Sequence, residues 1–353
     1  MTATARIQPQ SNDPQGLALT PGPTAVVAGD STPESSPSVL ALSVSAPDTD
    51  ISAPLPLFKQ YRSDARYRVS RKAAEELLEC LTQAGSTEES RELRVLVAVA
   101  HPDDEAIGAG ALLRHYNDAI VLHVTDGGGH DDLSARQRGF DTRQEYAHAR
   151  RAEVVDALRL IGLPEERIRS MGIPDGRAAR QLVDVCRSLM DVFDELQPDV
   201  VLTHPYEGGH TDHDATAFAV HLACGILRRE DAPAPLVLEL ASYHMRNGRR
   251  VRGDFLPNWR TPMRAVHLSP EGRVLKANMF SRFRSQQECL AEFPIDIERF
   301  RVAPRYLFTE APHSGMLDYE RYGFEITGVE WRAQAEKALQ MLRSRKRVVV
   351  RDD

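Results

Sequence analysis

The sequence is poor in cysteine and aromatic residues, and it has no long apolar run. Its 353 residues include four scattered cysteines without a CxxC pair, which fits reduced thiols in the cytoplasm better than a disulfide framework. No stretch is long and apolar enough for a membrane span, and the N-terminus lacks the features of a secretory signal. The net charge of -7 argues against a nucleic-acid partner. Glycine-rich nucleotide loops are also missing, because the three glycines at 127–129 match neither GxGxxG nor a Walker loop.

Composition divides the chain into four segments. Residues 1–56 are rich in Pro, Ser, Thr and Ala without periodicity, which predicts a disordered leader. Residues 57–92 hold an amphipathic helix, predicted to pack outside the main sheet, and a polar lead-in to the first strand. The hydrophobic content of 42% is enough for a core, and we expect one α/β domain over 93–340. Residues 341–353 are predicted to be a basic tail.

The first chemically informative stretch is an apolar strand over 94–100, followed at once by polar residues. Pro102 cannot continue a strand ladder, so the strand ends at His101 and a helix follows. The turn between them carries one imidazole and three carboxylates: His101, Asp103, Asp104 and Glu105. Ligands of open α/β sheets bind at the carboxyl ends of the strands. These residue types at this position therefore predict a site for a divalent ion such as zinc.

A second polar cluster repeats this arrangement about a hundred residues later. Buried strands are predicted at 119–124 and 198–203 with helices between them, which indicates βαβ units and a mostly parallel sheet flanked by helices. The second of these strands leads into His210, Asp212 and His213, before another apolar helix that is predicted from about 215 to 227. The helix after the first polar turn is predicted over 107–115, and a later helix over 270–290. We expect both clusters to lie at the same edge of the sheet.

The two clusters together contain a full set of ligands for a catalytic metal ion. Such a site needs three protein ligands and an open position for water. The first turn supplies His101 and Asp104, and the second supplies His213. Two histidines and one carboxylate suit zinc and also ferrous iron, so both ions remain open.

The remaining groups fit the hydrolysis of an amide. Asp103 is expected beside the ion as the general base for the metal-bound water. His210 is expected across the open position, where an imidazolium would stabilise the oxyanion and then protonate the leaving amine. Asp212 would orient His210.

Five motifs, in the same order, resemble the PIG-L (LmbE-like) family of zinc-dependent N-acetyl-sugar deacetylases. The resemblance runs from about Arg94 to about Leu290. Its motifs are the residues 100–105, the loop 125–128, Arg150-x-x-Glu153, the turn 174–176 and His210-x-Asp212-His213. Two positions depart from the pattern: Thr211 replaces a frequent proline, and Arg282 or Phe283 stands where a histidine is common.

The resemblance implies a Rossmann-like fold and removal of the acetyl group from an N-acetylglucosamine-type glycoside, glycolipid or natural-product precursor. It assigns His101, Asp104 and His213 to the metal. Asp103 would be the base, and His210, with Asp212 behind it, would support the transition state. It further implies that Arg150 and Asp175 contact sugar hydroxyls, although Arg150 could equally be a charge on a helix surface.

Two other functions are compatible with the same residues. The metal site could instead serve an amidase that acts on a thiol conjugate or another small N-acyl compound. Alternatively, the chain is a non-catalytic α/β binding module in which the His and Asp residues only cap helices. The expected partner is a small N-acetylated molecule, and the oligomeric state is left open.

Overall fold

The computed structural model describes residues 71–83, 93–321 and 326–343. The predicted leader at 1–56 and most of the predicted basic tail lie outside the described residues. The last described helix, Gly328–Arg343, ends three residues past the expected domain boundary at 340.

The described residues alternate between strands and helices in the order that the sequence predicts for the first half of the chain. The strands are β1 Val95–Val99, β2 Ile120–Thr125, β3 Ile168–Ile173, β4 Val200–Thr203, β5 Leu236–Leu240, β6 Tyr243–Arg246, β7 Arg249–Arg252, β8 Arg264–His267 and β9 Ile297–Val302. The helices are α1 Arg71–Thr82, α2 Asp104–Leu113, α3 Asp132–Gln137, α4 Arg143–Arg159, α5 Leu182–Leu196, α6 Thr211–Arg229, α7 Pro270–Phe280, α8 Gln287–Leu290, α9 Asp318–Arg321 and α10 Gly328–Arg343.

Seven strands form one sheet in the order β3-β2-β1-β4-β5-β9-β8, and β6 pairs with β7 as a separate hairpin. The first five strands are parallel, and β9 is antiparallel to both β5 and β8. Val97 of β1 pairs with Val121 on one side and with Leu202 on the other. The chain order therefore reverses between β1 and β4, which is the switch point where open α/β sheets bind ligands. The predicted fold class is confirmed.

Each face of the sheet has its own apolar core. Val95, Val97 and Val99 point into a core shared with α1, α2, α4 and α7. Leu96 and Ala98 point to the opposite face, where α5, α6 and α10 pack. Since β1 is buried on both faces, its sequence is a continuous apolar run rather than an alternating one. Helix α1 packs on the first face through its apolar stripe, as expected.

Helix boundaries differ from the prediction at three places. Helices α2 and α6 begin at Asp104 and Thr211, three and four residues earlier than expected, so their first turns contain site residues. The predicted helix 270–290 instead stops at Phe280, and a tight turn separates it from α8. Among the described residues, no helix has both the length and the apolar character needed to cross a membrane.

Candidate metal and catalytic site

The carboxyl ends of β1 and β4 lie side by side, and the two predicted clusters follow them directly. A cavity of about 520 Å³ opens over this edge of the sheet. His101, Asp103 and Asp104 line it from the β1 side, and His210 and His213 line it from the β4 side. The structure thus brings together residues more than a hundred positions apart, as the parallel sheet predicts.

The three predicted metal ligands form a close triangle. Nδ1 of His101 lies 3.2 Å from Nε2 of His213. The Asp104 carboxylate reaches both rings, with Oδ2 at 3.3 Å from His101 Nδ1 and Oδ1 at 3.3 Å from His213 Nε2. All three residues are buried. Burial opposes the charge of Asp104, but the neighbouring imidazoles of His213 and His204 hold its pKa well below the usual value.

This donor set fits a divalent ion. Ligand atoms 2.0–2.1 Å from a tetrahedral zinc lie about 3.3 Å from one another, and the distance from Nδ1 of His101 to Nε2 of His213 matches this spacing. Asp104 approaches the two rings with different oxygens. Burial lowers the pKa of His213 to about 4, so that its ring is neutral at pH 7 and retains the lone pair that a metal requires. Imidazole nitrogens and carboxylate oxygens suit zinc or ferrous iron. Groups of described residues close enough to hold one ion include His101 with His210 and His213, and Asp104 with His204 and His213, so the predicted set of three ligands stays a prediction.

His101 is held from behind by carboxylates. Its Nε2 lies 3.1 Å from Oδ1 of Asp175 and 3.5 Å from Oδ2 of Asp212. Burial acts to lower the pKa of His101, but these carboxylates and Asp104 raise it well above the usual value. The ring therefore holds a proton at pH 7 that a metal ion would have to displace. A carboxylate on the distal nitrogen fixes the orientation of a metal-binding imidazole. Asp175, expected from the resemblance to contact sugar hydroxyls, therefore also contacts a predicted ligand.

Asp103 lies at the entrance to α2, next to the ligand Asp104. It is 6% exposed, and its backbone φ of 155° is in a region that non-glycine residues rarely occupy. Nη2 of Arg150 donates to its Oδ2 at 3.1 Å. Burial raises the pKa of Asp103 to about 6, against the opposing effect of the Arg150 cation. The predicted base is thus a buried carboxylate that titrates near neutrality.

Arg150 is a buried residue rather than a surface charge. It is 3% exposed, and its Nε and Nη1 atoms have no hydrogen-bond partner among the described residues. Gly127 makes room for it, since an added Cβ there would lie 3.0 Å from Nε of Arg150 and 2.8 Å from Cδ of Pro102. The arginine lines the cavity, and its guanidinium holds Asp103.

His210 faces the ligands across the cavity, with its ring 4.5 Å from that of His101 in an edge-on arrangement. Its Nδ1 accepts from the backbone N–H of Asp212 at 3.2 Å, which leaves the ring proton on Nε2. Burial, followed by the charge of His101, lowers the pKa of His210 to about 4. This pKa shift favours the neutral ring, and the role of His210 at the oxyanion stays a prediction.

Asp212 is fully buried, but its carboxylate makes contacts other than those expected. It accepts from the backbone N–H groups of Gly176 and Ala178 and lies near His101. Its backbone N–H donates to Nδ1 of His210. The carboxylate thereby ties the turn that carries Asp175 to the β4 side of the site.

Two polar residues behind the ligands were not predicted as site residues. His204 stacks on His213 with ring centroids 3.9 Å apart, and its Nε2 lies 3.2 Å from Oδ2 of Asp104. Ser242 Oγ lies 3.3 Å from Nδ1 of His213. His204 immediately follows a buried strand, as His101 does, and that position is the signal in the sequence that could have identified it.

One part of the cavity wall, the outer wall, comes from later segments. Tyr243, Gln286, Cys289 and Phe293 line it. The turn that begins after α7 is fixed by Ser285, whose backbone N–H and hydroxyl donate to Glu153 at 2.8 and 2.7 Å. The sequence analysis predicted one continuous helix over 270–290, which gave no reason to expect that Gln286 and Cys289 line the cavity.

Comparison with known proteins gives a family match over the segment that contains the predicted ligands. Residues 96–224 match the family described as "GlcNAc-PI de-N-acetylase" (PIG-L). This part of the chain, somewhat over a third of its length, is similar to the PIG-L family. The PIG-L segment contains the three predicted ligands, Asp103 and Arg150, whereas the outer wall lies beyond it. The resemblance inferred from the five motifs is confirmed.

Individual relatives resemble part of the chain. A Bacillus cereus protein named "Probable N-acetyl-alpha-D-glucosaminyl L-malate deacetylase 2" is 33% identical over 147 residues, which are 40% of this chain and 66% of that protein. Mycothiol S-conjugate amidase of Streptomyces coelicolor is 30% identical over 144 residues, 35% of this chain and 49% of that enzyme. The chain thus spans about two thirds and one half of these relatives.

Among solved structures, the A40926 pseudoaglycone deacetylase Dbv21 aligns with 61% of this chain and 98% of its own. Its TM-score is 0.46, at 19% identity.

Proposed function

We propose that the protein is a metal-dependent hydrolase that removes the N-acetyl group from an N-acetylglucosamine-type sugar. The observation that carries the proposal is the cluster of His101, Asp104 and His213 at the switch point of the sheet. Nδ1 of His101 lies 3.2 Å from Nε2 of His213, and a different oxygen of Asp104 lies 3.3 Å from each of these nitrogens. The name of the Bacillus cereus relative, a deacetylase of an N-acetylglucosaminyl compound, supports the substrate class. Zinc is the proposed ion, with ferrous iron as the second candidate.

A divalent ion bound by these three residues would polarise the amide carbonyl and lower the pKa of a water molecule beside it. Asp103 would take the proton from the attacking water, a role that suits a carboxylate whose pKa is about 6. Arg150 holds that carboxylate in place through its 3.1 Å hydrogen bond.

His210 would stabilise the developing oxyanion through its Nε2–H. A hydrogen bond donated into a buried site contributes more than one donated into water, because the local dielectric constant is low. Neutral His210 has no additional proton for the leaving group. We infer that the proton taken up by Asp103 passes on to the amine, so that one carboxyl acts first as base and then as acid.

Acetate release from N-acetylglucosamine, its oligosaccharides and a simple glycoside tests the proposal. The purified protein is assayed as isolated, after chelation, and after the return of zinc or ferrous ion. We expect acetate release that chelation abolishes and one of the metals restores. Stoichiometric metal without acetate release from any sugar would contradict the proposed substrate class.

A second substrate class is favoured by the likeness to mycothiol S-conjugate amidase, which is 30% identical to this chain over 144 residues. The site would then cleave the amide of a thiol conjugate or another small N-acyl compound by the same steps. Cleavage of such amides, with acetylated sugars left intact, would favour this alternative. The cytoplasm remains a prediction from the scattered cysteines, which are free thiols in the structure.

A further inference from the structure

Helix α2, which carries the predicted ligand Asp104 in its first turn, is broken in the middle. The backbone leaves helical geometry at Ala109, with φ -145° and ψ 15°. Glycines flank the break, and an added Cβ at Gly108 would lie 2.5 Å from Cδ1 of Leu240. The backbone at the break therefore approaches β5 more closely than any side chain would permit.

A buried ion pair lies at this break. In a regular helix the N–H of Ala111 would donate to the C=O of Ile107, four residues earlier. Here the N–H of Ala111 donates to Oε1 of Glu298 at 2.8 Å, and the C=O of Ile107 accepts from Nζ of Lys276 at 2.8 Å. Nζ of Lys276 also donates to Oε1 of Glu298 at 3.1 Å. The two side chains thus bridge the two ends of one helical hydrogen bond.

The pair is well supplied with hydrogen bonds. Oε2 of Glu298 accepts a second backbone N–H, that of Leu112, at 3.1 Å. Nζ of Lys276 lies 5.9 Å from the ring of Phe280. Both side chains are 0% exposed, so each charge depends entirely on these contacts. Removal of either partner would leave an uncompensated buried charge and release the backbone groups at the break.

We propose that Lys276 and Glu298 are positioning residues for Asp104. They fix the two halves of α2, so that the first half presents Asp104 to His101 and His213 while the second half packs in the core. The pair joins α7 and β9 to this helix, and neither residue contacts the ligands. The inference rests on the proposed function, because it assumes that Asp104 is a metal ligand.

The test measures metal binding rather than turnover. The variants are Glu298→Gln, Lys276→Met and the double variant Lys276→Met/Glu298→Gln, in which no buried charge is left unpaired. Asp199→Asn is the matched control, since Asp199 is also buried and accepts from a backbone N–H and from Arg94, but at the amino ends of β1 and β4. Each protein is loaded with cobalt, and its visible absorption, metal affinity and unfolding are recorded.

We expect Glu298→Gln and Lys276→Met to bind metal at least about tenfold more weakly than wild type, with an altered cobalt absorption. Asp199→Asn should lose stability while keeping the wild-type spectrum and affinity. If a single variant does not fold, the cobalt absorption and the metal affinity of the double variant are compared with those of wild type. A difference in both supports the positioning role. Spectra and affinities equal to wild type in the folded variants would overturn the positioning role.

Failure of the proposed reaction gives a different result. Wild-type protein that binds cobalt but hydrolyses no amide would contradict the reaction. In that case the effect of Lys276 and Glu298 on the cobalt spectrum would still be observed.

Discussion

Nε2 of His101 lies 3.1 Å from Oδ1 of Asp175, while Nδ1 of the same ring faces His213. The ring thus presents one nitrogen to the predicted metal position and the other to a carboxylate. This relationship gives Asp175 a role in orienting the ligand, in addition to the sugar contact that the family resemblance implies.

The variant Asp175→Asn separates these two roles. Loss of the carboxylate behind His101 should weaken metal binding about tenfold or more, measured by competition with a chromophoric chelator. Asp156→Asn, at an exposed position paired only with Arg159, is the control and should bind metal as wild type does. A raised KM with unchanged metal affinity would instead support a role limited to substrate contact.

Replacement of Asp103 by Asn should remove the general base and leave the three ligands in place. Turnover is expected to fall by about 10²- to 10⁴-fold, the usual contribution of a positioned base. Metal content, measured on the same sample, should equal that of the wild type. Unchanged turnover would show that another group accepts the proton.

The pH dependence of kcat/KM should report the titration of Asp103. Its carboxylate accepts a proton only when ionised, and burial raises its pKa to about 6, so the rate should fall as the pH drops through about 6. Arg150 lowers this pKa. Arg150→Met should therefore move the acidic limb to higher pH, and a shift in the other direction would contradict the ion pair as the cause.

Gly127→Ala should disturb both stability and activity. The residue has φ +66°, and an added Cβ would crowd Pro102 and Arg150. Gly139→Ala is a matched control, since its φ is +86° but no atom of the described residues lies within 4 Å of the added Cβ. The control should lose about 1–2 kcal/mol of unfolding free energy from backbone strain and keep its turnover. Gly127→Ala should lose more unfolding free energy than the control and should also lose turnover. Equal effects of the two substitutions would contradict the packing argument.

The grouping of the three predicted ligands could be foreseen from the sequence because topology alone brings them together. Parallel strands present their carboxyl ends at the same edge, and both clusters follow apolar runs that are buried on both faces. The expected ligands His101, Asp104 and His213 required no knowledge of side-chain packing. Their roles as ligands stay predictions, but their juxtaposition follows from the order of the elements.

The segments after β5 were harder to predict, because charged residues interrupt their apolar pattern. The hairpin β6–β7 contains several arginines, and only the pair Asn247-Gly248, both with positive φ, indicates a turn of the type found in hairpins. In β9, the buried Glu298 and Arg301 interrupt the apolar pattern by which a buried strand is recognised. Buried charges are rare, so their partners cannot be inferred from spacing.

The outer wall of the cavity is encoded in a different stretch of the chain from the predicted ligands, although other lining residues such as Tyr146 and Arg177 lie in the same stretch as the ligands. The predicted ligands and Asp103 lie within residues 96–224, whereas Tyr243, Gln286 and Cys289 come from segments beyond that range. Substitutions in the later segments can therefore reshape what the cavity admits without touching the groups that would break the amide bond. Residues 243–293 are therefore a stretch to vary when the acyl compound that the cavity accepts is to be changed.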